Sequence, residues 1–258
     1  MAGAAVVLGY AVAGGTAEAG KLAQGFLAAF LICGAGNAIN DFYDYPIDLR
    51  QKPRRVLPRG ALSLAAAKRY AHLLFITGIA ISLPLGMLPL LLAAFNSALL
   101  YLYAAKLKRA WGLVKNLSVS YLTASPLLYG GAIAGDALST LPLVLLALLA
   151  NTSREIVKDI EDMQGDAESC STLPLRLGVR KSSALAATIL LAAVLLSPLP
   201  YLLGILSIYY LPVVAVADAL FLLSLRALFA ACPARSSKLM KAGMLAALLS
   251  FLAGLKAL

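Results

Sequence analysis

Residues 85–105 read LGMLPLLLAAFNSALLYLYAA, a run of twenty-one residues without a charged side chain. A transmembrane helix needs about twenty predominantly apolar residues to cross the hydrocarbon core of a bilayer. Three further stretches are nearly free of charge: 138–153, 184–212 and 238–258. With 61% hydrophobic residues in the whole chain and a mean hydropathy of +0.87, these stretches predict an integral membrane protein.

The basic residues are grouped along the chain, and the groups indicate how the helices are oriented. The net charge is +10, and most Lys and Arg residues fall within 50–69, 106–115, 154–181 and 226–241. The connections between these groups carry almost no charge, which is the alternation that the positive-inside rule produces. We therefore expect a multi-pass protein of the cell membrane with a cytoplasmic N-terminus and an external C-terminus. Nucleic-acid binding is not expected, because orientation in the membrane accounts for the basic charge.

The predicted fold is all-α, a single intramembrane domain over residues 1–258 with about nine transmembrane helices arranged around a central cavity. Helices rich in Ala, Gly and Leu pack closely and leave an apolar cavity open to the bilayer. The three cysteines are far apart and odd in number, which does not indicate a disulfide framework. The predicted spans are 3–18, 22–44, 64–83, 86–105, 113–134, 139–162, 182–199, 203–226 and 238–257.

Two acidic clusters with the same spacing are the main polar feature of this apolar chain. The first is Asn40-Asp41-x-x-Asp44-x-x-x-Asp48 and the second is Asp159-x-x-Asp162-x-x-x-Asp166. Steps of three and four residues keep each triad on one helix face. Carboxylates at a helix C-terminus are opposed by the helix dipole, and neighbouring ones repel unless a cation intervenes. Both clusters fall at predicted cytoplasmic helix ends and predict a Mg²⁺ site, since Mg²⁺ prefers a few carboxylates together with substrate phosphates.

A diphosphate is the substrate that this site indicates. Mg²⁺ would neutralise the charge that develops on a diphosphate leaving group. Cations nearby would add donors: Lys158 and Arg154 lie one and two turns before Asp162, and Lys108 and Arg109 follow helix 4. A diphosphate substrate within the membrane implies a lipid tail.

Asp218 and His72 lie away from both clusters. Asp218 is in the middle of a predicted span, where a carboxylate is either functional or hydrogen-bonded to a neighbouring helix. Both interpretations stay open from the sequence. His72, inside helix 3, is interpreted as structural.

At these residues the sequence resembles the UbiA superfamily of intramembrane prenyltransferases. That superfamily has an N-D-x-x-D-x-x-x-D motif after helix 2 and a D-x-x-x-D motif after helix 6, which correspond here to residues 40–48 and 162–166. The resemblance implies a nine-helix fold and Mg²⁺-dependent transfer of a prenyl group from a prenyl diphosphate to an acceptor. It implies metal ligation by Asn40, Asp44, Asp162 and Asp166. It implies that the metal or the diphosphate is supported by Asp41, Asp48 and Asp159.

Within the superfamily, three stretches are most similar to archaeal digeranylgeranylglyceryl phosphate synthases: 40–44, 154–166 and 172–178. The resemblance implies transfer of geranylgeranyl to the sn-2 hydroxyl of geranylgeranylglyceryl phosphate. Relatives also carry a Tyr followed by basic residues after helix 4, which matches Tyr103, Lys108, Arg109 and Asn116 as substrate-binding residues. An acceptor phosphate would need further cations, and we expect Arg54, Arg55 and Arg59 to supply them.

Three other functions are alternatives for a membrane protein with these acidic residues. An aromatic acceptor, such as the quinone precursor 4-hydroxybenzoate, is the alternative within the prenyltransferases. A cation-coupled transporter would place its carboxylates near the bilayer midplane, where only Asp218 is predicted to lie. CDP-alcohol phosphotransferases use one continuous acidic motif with Gly and Arg between the acids, which this sequence lacks.

Overall fold

The computed structural model describes residues 2–15, 18–109, 112–163 and 172–256. The regular structure of these residues is helical, which confirms the all-α prediction. The α-helices are α1 (Ala2–Val12), α2 (Ala19–Gln51), α3 (Leu64–Ser82), α4 (Met87–Ala105), α5 (Gly112–Ala134), α6 (Leu141–Glu161), α7 (Leu173–Leu177), α8 (Val179–Leu196), α9 (Leu199–Leu202), α10 (Tyr210–Phe229) and α11 (Pro233–Ala253). Three short 3₁₀ helices occur at Leu83–Leu85, Leu107–Arg109 and Leu138–Thr140.

Seven helical segments of the described chain are long and apolar enough to cross a membrane, namely those containing α2, α3, α4, α6, α8, α10 and α11. Their outer surfaces carry large apolar side chains, such as Ile76 and Leu195, which are 66% and 79% exposed. Contact of such side chains with water is unfavourable, whereas lipid tails accommodate them. The structure is therefore that of a multi-pass membrane protein. The count of nine spans stays a prediction, because α1 and α5 are not among the seven.

The composition of α5 follows from its position inside the bundle. This 23-residue helix packs against α1, α4 and α6. Its buried hydroxyl side chains donate to carbonyls of the preceding turn, as from Ser120 to Asn116 (2.7 Å) and from Ser125 to Leu122 (3.2 Å). These bonds satisfy the hydroxyls within the helix itself. A helix covered by its neighbours can thus carry polar residues that a lipid-facing helix would exclude.

Glycines determine two helix ends that differ from the predicted spans. Gly14 has φ +69°, and the N–H of Gly15 donates to the carbonyl of Tyr10. Together with the bond from Gly14 to Ala11, this is the Schellman arrangement, and it ends α1 earlier than the predicted residue 18. Gly204, with φ +69°, ends α9 in the same way. The span predicted from residue 203 consequently begins at Tyr210.

The helix that carries the first acidic motif is longer than predicted. α2 has 33 residues and continues through Pro46 to Gln51, whereas the sequence predicted an end at residue 44. At 1.5 Å per residue its length is about 50 Å, compared with about 30 Å for the hydrocarbon core of a bilayer. The surplus allows the last turns of α2, with the motif, to extend beyond the apolar layer.

Two glycines allow α1 and α5 to approach each other closely. A Cβ at Gly9 would lie 2.1 Å from the carbonyl oxygen of Leu127, and a Cβ at Gly130 would lie 2.1 Å from that of Val6. Both distances are far shorter than a van der Waals contact, so a side chain at either position forces the backbones apart. Small residues in such positions are a common basis of helix association in membranes.

We expect Gly130→Ala to destabilise the protein by about 1–3 kcal/mol, as overpacking typically does, because the new methyl group meets backbone that cannot move alone. Gly34→Ala is the matched control, since its Cβ would make an ordinary 3.7 Å contact with Leu74. The measurement is the thermal unfolding midpoint of the detergent-purified proteins. Equal midpoints for the two variants would contradict the close approach of α1 and α5.

Candidate active site

The first acidic motif lies on the last three turns of α2. Because the helix continues through Pro46, the residues of the motif keep the helical spacing that places them along one side. Their burial differs: the side chain of Asp41 is 50% exposed and that of Asp44 is 13% exposed. Asp48 is almost completely buried. The motif therefore extends from water into the protein interior.

Arg55 neutralises two acids of this motif at once. Its Nη1 donates to Asp41 (3.0 Å) and to Asp48 (2.8 Å), and Lys52 lies 3.8 Å from Asp48. The bridge connects the loop after α2 to the helix end. Arg55, predicted as a contact for an acceptor phosphate, is thus placed on the acidic motif. Arg54 and Arg59, predicted for the same role, are exposed on the loop.

Lys108 lies between the two predicted metal ligands of the first motif. Its Nζ is 2.5 Å from Oδ2 of Asp44 and 3.4 Å from Oδ1 of Asn40. The neighbouring Arg109 donates to the backbone carbonyl of Tyr43 at 3.2 Å. The short 3₁₀ helix Leu107–Arg109 is therefore attached to the end of α2 by two adjacent cations.

The second acidic motif begins inside α6 and continues beyond its end. Asp159 is 4% exposed; Lys115 donates to its Oδ1 at 2.5 Å, and Asn116 donates to its Oδ2 at 3.0 Å. Asp162 is the exposed residue that follows the helix. Asp166, a predicted metal ligand, lies outside the described residues.

The segment between α4 and α5 connects the two motifs. Lys108 contacts Asp44 of the first motif, and Lys115 contacts Asp159 of the second. These lysines are seven positions apart in the chain, and an extended chain covers at most about 25 Å over that number of residues. The two motifs consequently lie at the same end of the bundle, as the sequence predicted.

A second charged pair lies one turn deeper on α6. Arg154 donates to Glu155 at 3.0 Å, and their side chains are 24% and 15% exposed. The buried Nε of Arg154 has no acceptor among the described residues. Lys158, which the sequence grouped with Arg154, is exposed. Glu155 was not predicted as a site residue, although a carboxylate four positions before Asp159 inside a span was a signal for it.

Aromatic residues cover the motif on its α3 and α4 side. The hydroxyl of Tyr43 donates to that of Tyr101 at 3.2 Å, with the rings edge to face. His72 stacks on Tyr101 with ring centroids 5.7 Å apart, so it lies one residue away from Tyr43 of the first motif, and the prediction that His72 lies away from both clusters was wrong. Tyr103, predicted to bind substrate, is partly buried two residues further along α4.

The intramembrane carboxylate of Asp218 is hydrogen-bonded to a neighbouring helix. The hydroxyl of Ser197, at the end of α8, donates to it at 2.7 Å. Tyr210 in turn donates to the carbonyl of Ser197 at 2.6 Å. The structure thus supports the hydrogen-bonding alternative for Asp218.

Comparison with known proteins assigns this arrangement to a family. The model of the UbiA prenyltransferase family matches residues 2–252. The chain belongs to the UbiA prenyltransferase family. Digeranylgeranylglyceryl phosphate synthase of Methanosarcina mazei is 46% identical to this UbiA chain over 235 residues, which are 89% of the chain and 80% of that protein. The synthase of the same name from Methanothermobacter thermautotrophicus is 40% identical over 233 residues, 88% of the chain and 83% of that protein.

Solved UbiA structures have the same fold. A structure described as giving insights into digeranylgeranylglyceryl phosphate synthase in membranes matches this chain with a TM-score of 0.88 and 36% sequence identity. The match covers 98% of this chain and 92% of that chain. A UbiA homologue from Archaeoglobus fulgidus, bound to GPP and Mg²⁺, is 16% identical with a TM-score of 0.70 and coverages of 98% and 94%. Because its identity is only 16%, the similarity to the Archaeoglobus fulgidus structure supports the fold alone.

The oxygen donors of the UbiA motif fit a magnesium ion. Among residues 2–163 and 172–256, apart from the undescribed positions 16, 17, 110 and 111, no three acidic, histidine or cysteine side chains form a closed metal cage. Mg²⁺ is commonly held by one or two carboxylates together with substrate phosphates. Asn40 and Asp44 both direct an oxygen at one cation, the Lys108 ammonium, so their geometry already suits a positive charge.

We expect Lys115→Met to destabilise this UbiA chain by about 3–5 kcal/mol, because removal of one partner leaves a buried charge at Asp159. Adding Asp159→Asn should restore much of the loss. Lys52→Met is the control: its side chain is 55% exposed and Asp48 keeps its bond from Arg55, so the loss should be about 0–1 kcal/mol, as for exposed ion pairs. Thermal unfolding of the four proteins in detergent measures the difference. A Lys115→Met midpoint equal to that of Lys52→Met would show that the pair is not buried in solution.

Proposed function

We propose that this chain transfers a geranylgeranyl group from geranylgeranyl diphosphate to the sn-2 hydroxyl of geranylgeranylglyceryl phosphate, a step of archaeal ether-lipid synthesis. The observation that carries the proposal is the 46% identity, over 89% of the chain, to a digeranylgeranylglyceryl phosphate synthase. The acids and cations collected at one end of an apolar bundle support it, because a lipid diphosphate needs both. Membrane lipids surround the chain in this role.

The metal would be held by Asn40, Asp44, Asp162 and Asp166, and Mg²⁺ bound there neutralises the charge of the leaving diphosphate. The supporting roles differ among the other acids. Asp41 and Asp48 fix Arg55 at the end of α2. Asp159 orders Lys115 and Asn116 at the start of α5. Asn116, predicted to bind substrate, is fully buried and would support this helix end instead of contacting the substrate.

Donors to the diphosphate would come from two sides. Lys108 and Arg109 approach from the connection after α4, where both already contact the end of α2. Arg154 and Lys158 lie on α6, and the Nε of Arg154 is a buried donor without an acceptor among the described residues. Charge-assisted hydrogen bonds from such groups to diphosphate oxygens are shorter and stronger than neutral ones.

An apolar cavity is available for part of the prenyl chain. Its volume is about 90 Å³, and it lies among α1, α2, α4 and α5, with Cys33, Asn96 and Tyr129 in its lining. Cys33 is seven residues before Asn40, which corresponds to about 10 Å along the helix. A tail that enters the bundle beside the motif would reach this cavity. Tyr103, on the last turn of α4, would face the allylic end of the substrate.

The phosphate of the acceptor would bind outside the bundle, at the loop between α2 and α3. Arg54 and Arg59 are exposed there, and Arg55 lies beside them on the acidic motif. The four groups of basic residues, within 50–69, 106–115, 154–181 and 226–241, support a cytoplasmic active site and N-terminus with an external C-terminus.

The decisive assay incubates purified protein with labelled geranylgeranyl diphosphate and either geranylgeranylglyceryl phosphate or 4-hydroxybenzoate. We expect a labelled digeranylgeranyl lipid with the first acceptor and no product with the second, because the site offers extra arginines for an acceptor phosphate. Chromatography of the products measures both. Product from the aromatic acid alone would replace the proposed function by the quinone-precursor activity.

We expect Asp44→Asn and Asp162→Asn each to lower the rate of transfer at least about 100-fold, more than the loss of an outer-shell residue of a metal site. Asp136→Asn is the control and should retain the wild-type rate. Asp136 lies between α5 and α6, at the far end of these helices, and hydrogen bonds donated by the Ser139 hydroxyl and backbone N–H lower the pKa of its carboxyl. It is therefore an ionised acid outside the site. Full activity in Asp44→Asn would refute the metal-binding role.

A further inference from the structure

The ammonium of Lys108 contacts oxygens that the proposed function assigns to the metal. It lies 2.5 Å from Asp44 Oδ2 and 3.4 Å from Asn40 Oδ1. Lys108 thus contacts both residues of the first motif that are assigned to the metal. The other cations of the site contact different acids: Arg55 pairs with Asp41 and Asp48, and Lys115 with Asp159.

A divalent ion and this ammonium cannot both use these oxygens fully. Mg²⁺ binds oxygen at about 2.0–2.1 Å and requires near-octahedral directions around it. An ammonium within hydrogen-bonding distance of the same carboxylate would repel the ion at short range, in a site where Asp44 is only 13% exposed and water screens little.

The surroundings of Lys108 allow it to move without disturbing the backbone. Arg109, the next residue, anchors the 3₁₀ helix Leu107–Arg109 by its bond to the carbonyl of Tyr43. The lysine side chain is 31% exposed, and its ammonium is carried on a flexible four-carbon stem. It can therefore leave Asp44 while the segment stays attached to α2.

We infer that Lys108 competes with the divalent metal for Asn40 and Asp44 and is transferred to the diphosphate when metal and diphosphate bind together. The inference rests on the proposed function and specifies the order of events at its site. Diphosphate oxygens offer the ammonium a stronger negative partner than one carboxylate. Metal and diphosphate then favour each other's binding, and by linkage the effect is equal in both directions.

Lys115, the lysine that pairs with the second motif, is not expected to compete with the metal. Lys115 is 13% exposed, and its carboxylate partner Asp159 also accepts a bond from the fully buried Asn116. Asp159 is not among the residues assigned to the metal. This pair can stay closed throughout a catalytic cycle, whereas the pair of Lys108 and Asp44 must open in each one.

The test measures Mn²⁺ binding by electron paramagnetic resonance to the full chain in detergent, without diphosphate. Lys108→Met should bind Mn²⁺ about tenfold more tightly than wild type, within the usual range of coupling between sites. Lys106→Met is the matched control: Lys106 is exposed in the same connection, and its loss should leave Mn²⁺ affinity within about twofold of wild type. Lys108→Arg keeps the charge and should keep the weak affinity.

A second measurement follows labelled inorganic pyrophosphate at saturating Mg²⁺. Lys108→Met should bind it several-fold more weakly, because the ammonium is then missing from the diphosphate. An unchanged Mn²⁺ affinity or an unchanged pyrophosphate affinity in Lys108→Met overturns the inference. The proposed function would still stand in that case if the wild-type protein transfers the geranylgeranyl group. Wild-type protein that binds neither probe contradicts the metal-dependent function itself.

Discussion

The acidic end of this bundle depends on ion pairs that neutralise carboxylates held away from water. Asp159 shows the constraint most clearly: it is 4% exposed and accepts bonds from both Lys115 and Asn116. A buried carboxylate without partners is strongly unfavourable. The packing of α5 on α6 therefore depends on the pair of Lys115 and Asp159. This pair also allows the first acid of the second motif to be buried in the protein.

The same principle organises the first motif, with cations supplied by two different loops. Arg55 comes from the loop after α2 and Lys108 from the connection between α4 and α5. Since Lys108 and Lys115 belong to one short stretch of chain, the positions of the two motifs relative to each other are determined by a connection that touches both. In this UbiA chain, a third, basic segment thus contacts both of the distant acidic motifs.

The sequence predicted the features that depend on local geometry. Bilayer thickness sets the length of spans, and residues three or four apart on a helix share a face whatever the fold, so seven of the nine spans and the acidic face of α2 could be predicted. The partners of Asp159 could not, because they lie 43 and 44 positions away and depend on how α5 meets α6. Arg55 was assigned to an acceptor phosphate, since nothing local indicated its bond to Asp41. The prediction that α2 ends before Pro46 was wrong, because a proline removes one backbone bond while the rest of the helix retains its packing.

Pro46 interrupts the backbone hydrogen bonding of α2 within the first motif. The helix bond that would join its missing N–H to the carbonyl of Phe42 is absent, and helices bend at such points. Asn40 and Asp44 lie before this position, and Asp48 lies beyond it. Arg55 pairs with Asp41 on one side of the proline and with Asp48 on the other, so the salt bridge spans the missing backbone bond. The loop arginine thus supplies, from outside the helix, a restraint that the proline removes from its backbone.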